Sequence, residues 1–228
     1  MFKRTIVISL GGSLVVPDHI NARFLKSFRS MVLSYVKKKF RFILIVGGGK
    51  TARRYQAAAS DVTQVSPEDL DWLGIHSTRL NGHLMRTIFR GFAYPKIITS
   101  QKKINTHVTY PVIVGAGFTP GSSTDLRAVQ LAKAYDADTI LNLSNIDYVY
   151  TKDPAKHADA KKITAIAWDQ FQKIVGTRWN PGANVPFDPV ASKLAKRFRM
   201  KVCIVNGKKL DNIQRILQGR SFRGTIIV

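Results

Sequence analysis

The sequence has one cysteine in 228 residues, so no disulfide can form within the chain. Cys203 lies in the apolar run Val202 to Val205, a pattern typical of a buried strand. We therefore expect a buried, inert thiol rather than a reactive one.

Long apolar runs are also missing. No segment approaches the roughly 18 apolar residues that cross a bilayer. Strand-like sequence begins by Thr5, which leaves no room for a secretory signal. With 45% hydrophobic residues, the chain can bury a sizeable core as one α/β domain or as two closely joined lobes. We expect a soluble cytoplasmic protein with no membrane partner.

Acidic residues are scarce. The chain has 14 Asp plus Glu against 36 Lys plus Arg, which gives a net charge of +22 and a pI near 10.4. Such a surface attracts polyanions and is compatible with a nucleic-acid binder or with an enzyme of anionic substrates. The basic residues are scattered in short clusters without interleaved aromatic residues, which favours ordinary solvated surface. We expect nucleic-acid binding to be at most weak and nonspecific.

Glycine, in contrast, is concentrated where three apolar runs end. Residues 6–8 lead into Gly11-Gly12-Ser13, residues 43–46 into Gly47-Gly48-Gly49-Lys50, and residues 112–114 into Gly115-Ala116-Gly117. Glycine lets the main chain approach a ligand closely, and the N–H groups at a strand-to-helix turn favour anions. Three such loops predict a cleft that holds several phosphate groups.

Strand-like runs alternate with segments of helical period almost to the end of the chain. This is the pattern of a mostly parallel sheet with helices on its faces. Ser66-Pro67, Thr124 and Asp188-Pro189 mark helix starts, and helical sequence covers residues 51–59, 168–175 and 210–217. The sequence predicts an α/β fold with a lobe junction near residues 133–138.

Two familiar nucleotide-binding motifs are incomplete. Gly49-Lys50-Thr51 ends like a P-loop, but Leu44 stands where that motif needs its first glycine. Gly115-x-Gly117 begins like a dinucleotide fingerprint, but Pro120 prevents direct entry into a helix. A P-loop NTPase and a Rossmann oxidoreductase are therefore disfavoured.

The histidines show no metal-ligand spacing, and we assign no side chain as a metal ligand.

Two polar segments accompany the glycine loops. Thr119 to Asp125 carries hydroxyls and a carboxylate at a predicted helix N-terminus, where a plain capping box is the simpler explanation. Residues 145–154 follow a strand and combine two carboxylates, an amide and two phenols. Each segment alone is an ordinary polar loop. Beside the glycine loops, they indicate the wall of a nucleotide-binding site.

The order and spacing of these motifs resemble the uridylate (UMP) kinases of the amino-acid kinase superfamily, the archaeal-type branch more than the common bacterial one. The similarity runs nearly end to end, through residues 11–13, 47–53, 71–81, 120–125, 145–154, 188–193 and 224–226. It implies one amino-acid kinase domain over residues 1–228, folded as a three-layer αβα sandwich with a mostly parallel central sheet. It also implies transfer of the ATP γ-phosphoryl to UMP with Mg²⁺, giving UDP for pyrimidine nucleotide synthesis, and a hexameric assembly.

The resemblance further implies roles for individual residues, with residues 1–134 on the UMP side and 135–228 on the ATP side. ATP would contact Gly11, Gly12, Ser13, Gly48, Asn145, Asp147, Tyr150 and Asp153. UMP would contact Gly47, Asp71, Thr119, Pro120, Gly121, Ser122, Ser123, Thr124 and Asp125. Lys50, Arg53 and Asp188 would serve the phosphoryl transfer, with Lys193 beside Asp188; the alternative for Asp188 is a helix cap alone.

Two positions depart from the pattern of many members of this superfamily. Ser9 stands where they carry a lysine, two residues before the paired glycines. The positive charge that stabilises the transferring phosphoryl group must then come from Lys50, Arg53 or Mg²⁺. Tyr148 replaces a glycine, and its ring alters the adenosine side, so the donor is less firmly implied than the acceptor.

Two other functions remain open from the sequence. One is a related small-metabolite kinase that acts on a carboxylate or another phosphate acceptor. The other is a catalytically weakened, nucleotide-sensing or nucleic-acid-binding protein, suggested by Ser9 and the charge of +22. Asp71 favours the nucleotide acceptor, because an amino-acid pocket has no use for a ribose-binding carboxylate.

Overall fold

A computed structural model describes residues 1–176 and 185–228 of the chain. Its strands are β1 Arg4–Leu10, β2 Phe40–Val46, β3 Val112–Gly115, β4 Thr139–Ser144, β5 Val149–Tyr150, β6 Lys162–Ile163, β7 Ala165–Ile166, β8 Lys201–Asn206 and β9 Thr225–Ile227. Its α-helices are α1 Gly12–Val15, α2 Ala22–Val36, α3 Gly49–Val62, α4 Pro67–Ile88, α5 Thr124–Ala134, α6 Trp168–Val175, α7 Pro189–Arg197 and α8 Leu210–Leu217, and Gln101–Lys103 forms a 3₁₀ turn.

A seven-stranded sheet in the order β3-β2-β1-β4-β8-β9-β7 forms the centre of the molecule. The strands β3, β2, β1, β4 and β8 are all parallel, whereas β9 runs antiparallel to β8. Strands β5 and β6 form a separate antiparallel pair. The predicted α/β fold with a mostly parallel sheet is confirmed.

The central strands are apolar throughout because the sheet is covered on both faces. In β1, Ile6 and Ile8 pack into the core formed with α1, α2, α4 and α8, whereas Val7 packs into the core formed with α5, α6 and α7. This alternation follows from the two-residue period of a strand. The result is the predicted three-layer sandwich.

Helix caps lie where the sequence marks them. The Ser66 hydroxyl accepts a hydrogen bond from the Asp69 N–H (3.1 Å), and Pro67 opens α4. The Ser123 hydroxyl accepts from the Leu126 N–H (3.2 Å) at the start of α5. After the second glycine loop, α3 begins at Gly49, two residues before the predicted stretch, and extends to Val62.

Cys203 is buried in β8, and burial raises the pKa of its thiol to about 11. The thiol therefore stays protonated near neutral pH, as predicted for an inert side chain. Within residues 1–176 and 185–228, no helix combines the length and hydropathy needed to span a bilayer.

Candidate active site

The candidate site lies at the carboxyl edge of the parallel strands. Strands β1, β2, β3, β4 and β8 run in the same direction, so the loops that follow them emerge at one edge. Three of these loops are the glycine-rich segments that begin at Gly11, Gly47 and Gly115.

The first and second glycine loops are in direct backbone contact. A Cβ on Gly12 would lie 2.1 Å from the Gly49 nitrogen, and a Cβ on Gly47 would lie 2.6 Å from the Gly12 nitrogen. Gly49 also has a φ of +64°, a conformation that other residues rarely adopt. Glycine is therefore required here so that the two loops can pack edge to edge.

Helix α4 ties the second loop to the third. The Asn81 amide donates to the carbonyls of Gly47 (2.8 Å) and Gly48 (3.1 Å). One turn earlier, the Thr78 hydroxyl accepts from the buried Gly117 N–H (2.8 Å). The predicted convergence of the three loops is thus present, and one helix holds two of them in register.

Arg79 belongs to the same connection. Its guanidinium donates to the carbonyls of Gly117 (3.2 Å) and Phe118 (3.0 Å). In the structure it fixes the backbone that leads into the Thr119 to Asp125 segment.

Residues 118–123 form a loop before α5, and Thr124 and Asp125 lie in the first turn of that helix. We call residues 118–123 the acceptor loop, after the ligand that the resemblance assigns to them. Asp71, near the start of α4, accepts a hydrogen bond from the Gly121 N–H (2.8 Å). Within the loop, the Ser122 hydroxyl donates to the Thr119 carbonyl (2.8 Å). Asp71 and the loop, which the resemblance assigns to one ligand, therefore lie together.

Asp125 joins three distant parts of the sequence. The Ser9 hydroxyl donates to its Oδ1 (2.9 Å), and the Asp188 N–H donates to its Oδ2 (3.2 Å). The pKa of Asp125 is raised to about 6, mainly by burial and to a smaller degree by the nearby Asp188 carboxylate, although the two hydrogen bonds act to lower it. Ser9, for which the resemblance implies a lysine in many members of the superfamily, is thus a neutral donor to the Asp125 carboxylate.

Asp188 caps α7, because its Oδ1 accepts from the Ala191 N–H (2.6 Å). The residue is 3% exposed, and its Oδ2 has no hydrogen-bond partner among the described residues. A buried oxygen without a donor is costly, and it suits a cation or a ligand hydrogen bond. The cap and a further role are therefore compatible.

Lys193 lies exposed on the same helix and forms no ion pair within the part of the chain that the structure describes.

Lys50 and Arg53 lie in the first turns of α3. Lys50 is partly buried and Arg53 is exposed. Neither forms an ion pair with a residue in 1–176 or 185–228. Two cations without an ion-pair partner among the described residues thus lie beside a helix N-terminus and two glycine loops, an arrangement that favours an anion.

The loop after β4 forms the opposite wall. The Asp147 carboxylate accepts from the Lys209 ammonium with both oxygens (2.8 Å each), and this hydrogen bond lowers the pKa of Asp147. Asp147 thus anchors the loop to the start of α8. Asn145 is exposed, Tyr150 lies in β5, and the Asp153 carboxylate accepts from the Ala155 N–H (3.0 Å).

Sequence reasoning missed how Thr78, Asn81 and Arg127 build the site. Thr78 and Asn81 belong to a motif of the resemblance, but their bonds to the loops depend on the docking of α4. The Arg127 guanidinium donates to the hydroxyls of Thr119 (3.2 Å) and Ser122 in the loop before its own helix. Its helical position, four residues after Ser123, did not indicate these contacts. A basic residue at a position expected to face the core would have been the available clue.

Comparison with known proteins gives the site its context. A model of the amino acid kinase family matches residues 4–206. The chain belongs to the amino acid kinase family. The matched residues include all three glycine loops as well as Ser9 and Tyr148.

Relatives in this amino acid kinase family resemble the chain over nearly its full length. A uridylate kinase of Thermoplasma volcanium is 35% identical over 95% of this chain and 94% of its own. A uridylate kinase of Hyperthermus butylicus is 31% identical over 100% of this chain and 99% of its own. The crystal structure of a uridylate kinase from Archaeoglobus fulgidus, 31% identical, has a TM-score of 0.81 and covers 98% of this chain and 99% of that one.

Proposed function

We propose that this protein is a nucleoside monophosphate kinase that transfers the γ-phosphoryl group of ATP to UMP, giving UDP. The observation that carries the proposal is the junction of the first two glycine loops, with the acceptor loop held beside them by Thr78, Arg79 and Asn81 of α4. The similarity to uridylate kinases over almost the whole chain supports the choice of acceptor.

In this proposal the two nucleotides meet above the glycine loops. The UMP side comprises Asp71 and the acceptor loop with Thr124 and Asp125, and residues 1–134 supply it. The ATP side comprises Gly11 to Ser13 and the loop with Asn145, Asp147, Tyr150 and Asp153, and residues 135–228 supply most of it. Gly47 and Gly48 lie where the two phosphate chains would meet.

The reaction requires the protein to position the phosphate groups and to neutralise their charge, and it needs no general base. The attacking oxygen of a nucleoside monophosphate is already ionised near neutral pH, so no side chain has to remove a proton. Backbone N–H groups of the glycine loops hold the phosphates in line, and Lys50 and Arg53 neutralise their charge. Ser9 contributes no charge, which places more of this task on the cations of α3.

Mg²⁺ fits the carboxylates at the base of this site. In enzymes of phosphate transfer, one or two carboxylates together with substrate phosphates usually hold this ion. Asp188 offers a buried oxygen without a hydrogen-bond partner among the described residues, and Asp125 lies against it. These two residues would hold Mg²⁺ beside the nucleotide phosphates, and the ion would supply further neutralisation of phosphate charge.

The assembly and the compartment belong to the same proposal. We infer a hexamer from the resemblance described above, and a cytoplasmic site of action because pyrimidine nucleotides are made there. Sedimentation of the purified protein tests the assembly, because a hexamer of 25.5 kDa chains differs sixfold in mass from a monomer.

A coupled assay of ADP release tests the proposed reaction. The purified protein is supplied with ATP and Mg²⁺ and then with UMP, CMP, dUMP, carbamate or acetylglutamate in parallel. We expect the highest kcat/KM with UMP. A preference for carbamate or acetylglutamate would replace the proposal by a small-metabolite kinase. UMP turnover no faster than background, together with salt-sensitive RNA retention, would replace it by a nucleic-acid-binding function.

A further inference from the structure

Basic residues that are scattered along the sequence converge on one edge of the central sheet. Strands β2, β1, β4 and β8 are neighbours and run parallel, so the segments that lead into them meet at the amino edge, opposite the candidate active site. These segments are residues 1–4, 37–41, 133–138 and 196–201, which we call the basic edge. Eleven of their 21 residues are Lys or Arg, against 36 of 228 in the whole chain.

Direct contacts join the four segments. The Arg41 guanidinium carbon lies 4.4 Å from the centre of the Phe2 ring and 5.8 Å from that of the Tyr135 ring. The Lys201 N–H donates to the Asp138 carbonyl (2.9 Å). The basic edge is therefore one continuous surface.

The charge of the basic edge is exposed and largely unpaired. Within residues 1–176 and 185–228, Lys196 pairs with Asp169 on α6, and no other cation of the basic edge forms an ion pair. The other carboxylates in or beside these segments are Asp136, Asp138 and the chain terminus at Val228. Even with them, positive charges outnumber negative ones more than twofold. The exposed cations are Lys3, Lys37, Lys38, Lys39, Lys133, Lys196, Arg197, Arg199 and Lys201.

Helix ends account for only part of this charge. Helices α2, α5 and α7 end at the basic edge, and a cation in the last turn of a helix is stabilising. Lys133, Lys196 and Arg197 lie in such turns, and the last turn of α2 has no basic residue. Lys39 and Arg199 have φ values of +64° and +52°, a conformation that glycine adopts with less strain. Helix stability therefore leaves most of these cations unexplained, which points to a partner of opposite charge.

The dimensions of the basic edge suit a long polyanion. Neighbouring strands lie about 4.8 Å apart, so the starts of four strands extend over roughly 15 Å. Phosphates along one strand of a duplex follow each other about every 3.4 Å, so this row faces about four or five of them. The helix-to-strand connections are short, at residues 37–39, 135–138 and 198–200, so no element projects from this edge.

We propose that the basic edge binds double-helical RNA through its phosphate backbone, without regard to base sequence. An A-form RNA duplex presents phosphates and 2′-hydroxyls across a wide, shallow minor groove, which a flat surface of Lys and Arg donors can contact. This function goes beyond the proposed kinase activity and does not depend on it, because the two sites lie at opposite edges of the sheet.

Other polyanions fit the basic edge less well. Base-specific DNA binding uses an element that enters the major groove, and the connections at this edge are too short for that. Single-stranded RNA is held by stacking on aromatic rings, whereas Phe2, Phe40, Tyr135 and Phe198 are buried or half-buried. Membrane binding uses an exposed apolar face, and Met1 is the one exposed large apolar side chain in these four segments.

Fluorescence anisotropy with a labelled RNA duplex of about 20 base pairs tests the proposal over a range of salt concentrations. The edge variant combines four exposed positions: Lys3→Gln, Lys37→Gln, Arg197→Gln and Lys201→Gln. The control variant combines four exposed positions elsewhere: Arg23→Gln, Lys26→Gln, Lys102→Gln and Lys173→Gln. Both variants lose the same charge, so they differ in where it is lost.

We expect the unchanged protein to bind the RNA duplex with a Kd on the order of micromolar at physiological salt. The edge variant binds at least about tenfold more weakly than the control variant near 0.1 M salt. Counterion release at one phosphate contributes about eightfold at that concentration, so the loss of two contacts is enough. The dependence of log K on log salt is shallower in the edge variant alone. Its kcat for UMP is unchanged, which also shows that it is folded.

Equal weakening in both variants would show that only net charge matters and would overturn the proposal. Binding that is no weaker to the same sequence as a DNA duplex or as single-stranded RNA would assign the edge to another nucleic acid and overturn it too. A preference for vesicles of equal parts phosphatidylserine and phosphatidylcholine would assign it to a membrane, with the same consequence.

If the edge variant does not fold, acetylation of lysines in the unchanged protein decides. The RNA duplex should protect Lys37, Lys38 and Lys201 at least severalfold more than Lys26 and Lys102, as measured by mass spectrometry. Equal protection of the two groups refutes the proposal.

Discussion

The bond from Gly117 to Thr78 can be removed without changing the shape of the side chain. Thr78 is buried in α4; its hydroxyl accepts from the Gly117 N–H (2.8 Å) and donates to the Ile75 carbonyl (2.7 Å). Thr78→Val replaces the hydroxyl by a methyl group of similar size. The helix still uses the Ile75 carbonyl, but the buried Gly117 N–H loses its acceptor.

The expected loss of stability follows from that orphaned donor. A buried N–H without a partner costs about 1–3 kcal/mol. For a chain of this length each kcal/mol corresponds to about 2–4 °C in Tm, so a loss near 2 kcal/mol lowers Tm by about 4–8 °C. Thr78→Ser keeps the hydroxyl and removes one methyl group, for which we expect a smaller loss of about 1 kcal/mol.

Urea unfolding at neutral pH measures these changes, and the KM for UMP reports the loop. Thr87→Val, on an exposed position of the same helix, controls for the introduction of valine into α4. We expect Thr78→Val to raise the KM for UMP several-fold while the KM for ATP changes little. If Thr78→Val and Thr87→Val destabilise the protein equally, the bond does not hold the loop, and the reasoning is refuted.

Four further changes test other parts of the site. Because the pKa of Asp125 in the fold is raised from 3.8 to about 6, its contribution to stability is full below pH 3.8 and is lost as the pH rises through 6. Asp125→Asn in metal-free buffer should therefore raise Tm at pH 8 but not at pH 4. Ser9→Lys should leave UMP affinity unchanged and turnover equal or faster, by steady-state kinetics. Gly12→Ala, whose Cβ would lie 2.1 Å from the Gly49 nitrogen, should abolish turnover. Asp71→Ala should raise the KM for UMP more than tenfold and the KM for ATP far less.

Each of these has a contrary result. If Asp125→Asn raises Tm equally at pH 4 and pH 8, the gain does not come from the buried charge of Asp125, and the argument from its raised pKa is contradicted. Loss of UMP binding in Ser9→Lys would mean that the first loop is not where the donor phosphates lie. Normal turnover in Gly12→Ala would contradict the contact of the two loops. If Asp71→Ala raises the KM for ATP more than the KM for UMP, the ATP and UMP sites have been assigned the wrong way round.

The fold was predictable where local sequence decides it. Apolar strands covered on both faces and helix starts such as Ser66-Pro67 carry their signal within a few residues. The antiparallel direction of β9 and its place between β8 and β7 were not predictable, because they depend on where the end of the chain docks. The start of α3 at Gly49 was missed because glycine is a weak helix former, yet the loop contact requires it there.

The site was predictable to the level of its loops. Glycine marks the places where backbones approach each other, so the convergence at one sheet edge followed from the sequence. The bond of Ser9 to Asp125 joins residues 116 positions apart, and no local pattern announces it. The same holds for Arg127, whose role depends on which face of α5 meets the acceptor loop.

A crystal structure with UMP and a non-hydrolysable ATP analogue tests the central claim most directly. The account predicts the UMP ribose at Asp71, its base on the acceptor loop, and the donor phosphates on Gly11 to Ser13, with the two phosphate chains meeting beside Gly47, Lys50 and Arg53. UMP bound away from the acceptor loop, or donor phosphates away from the glycine loops, would contradict it.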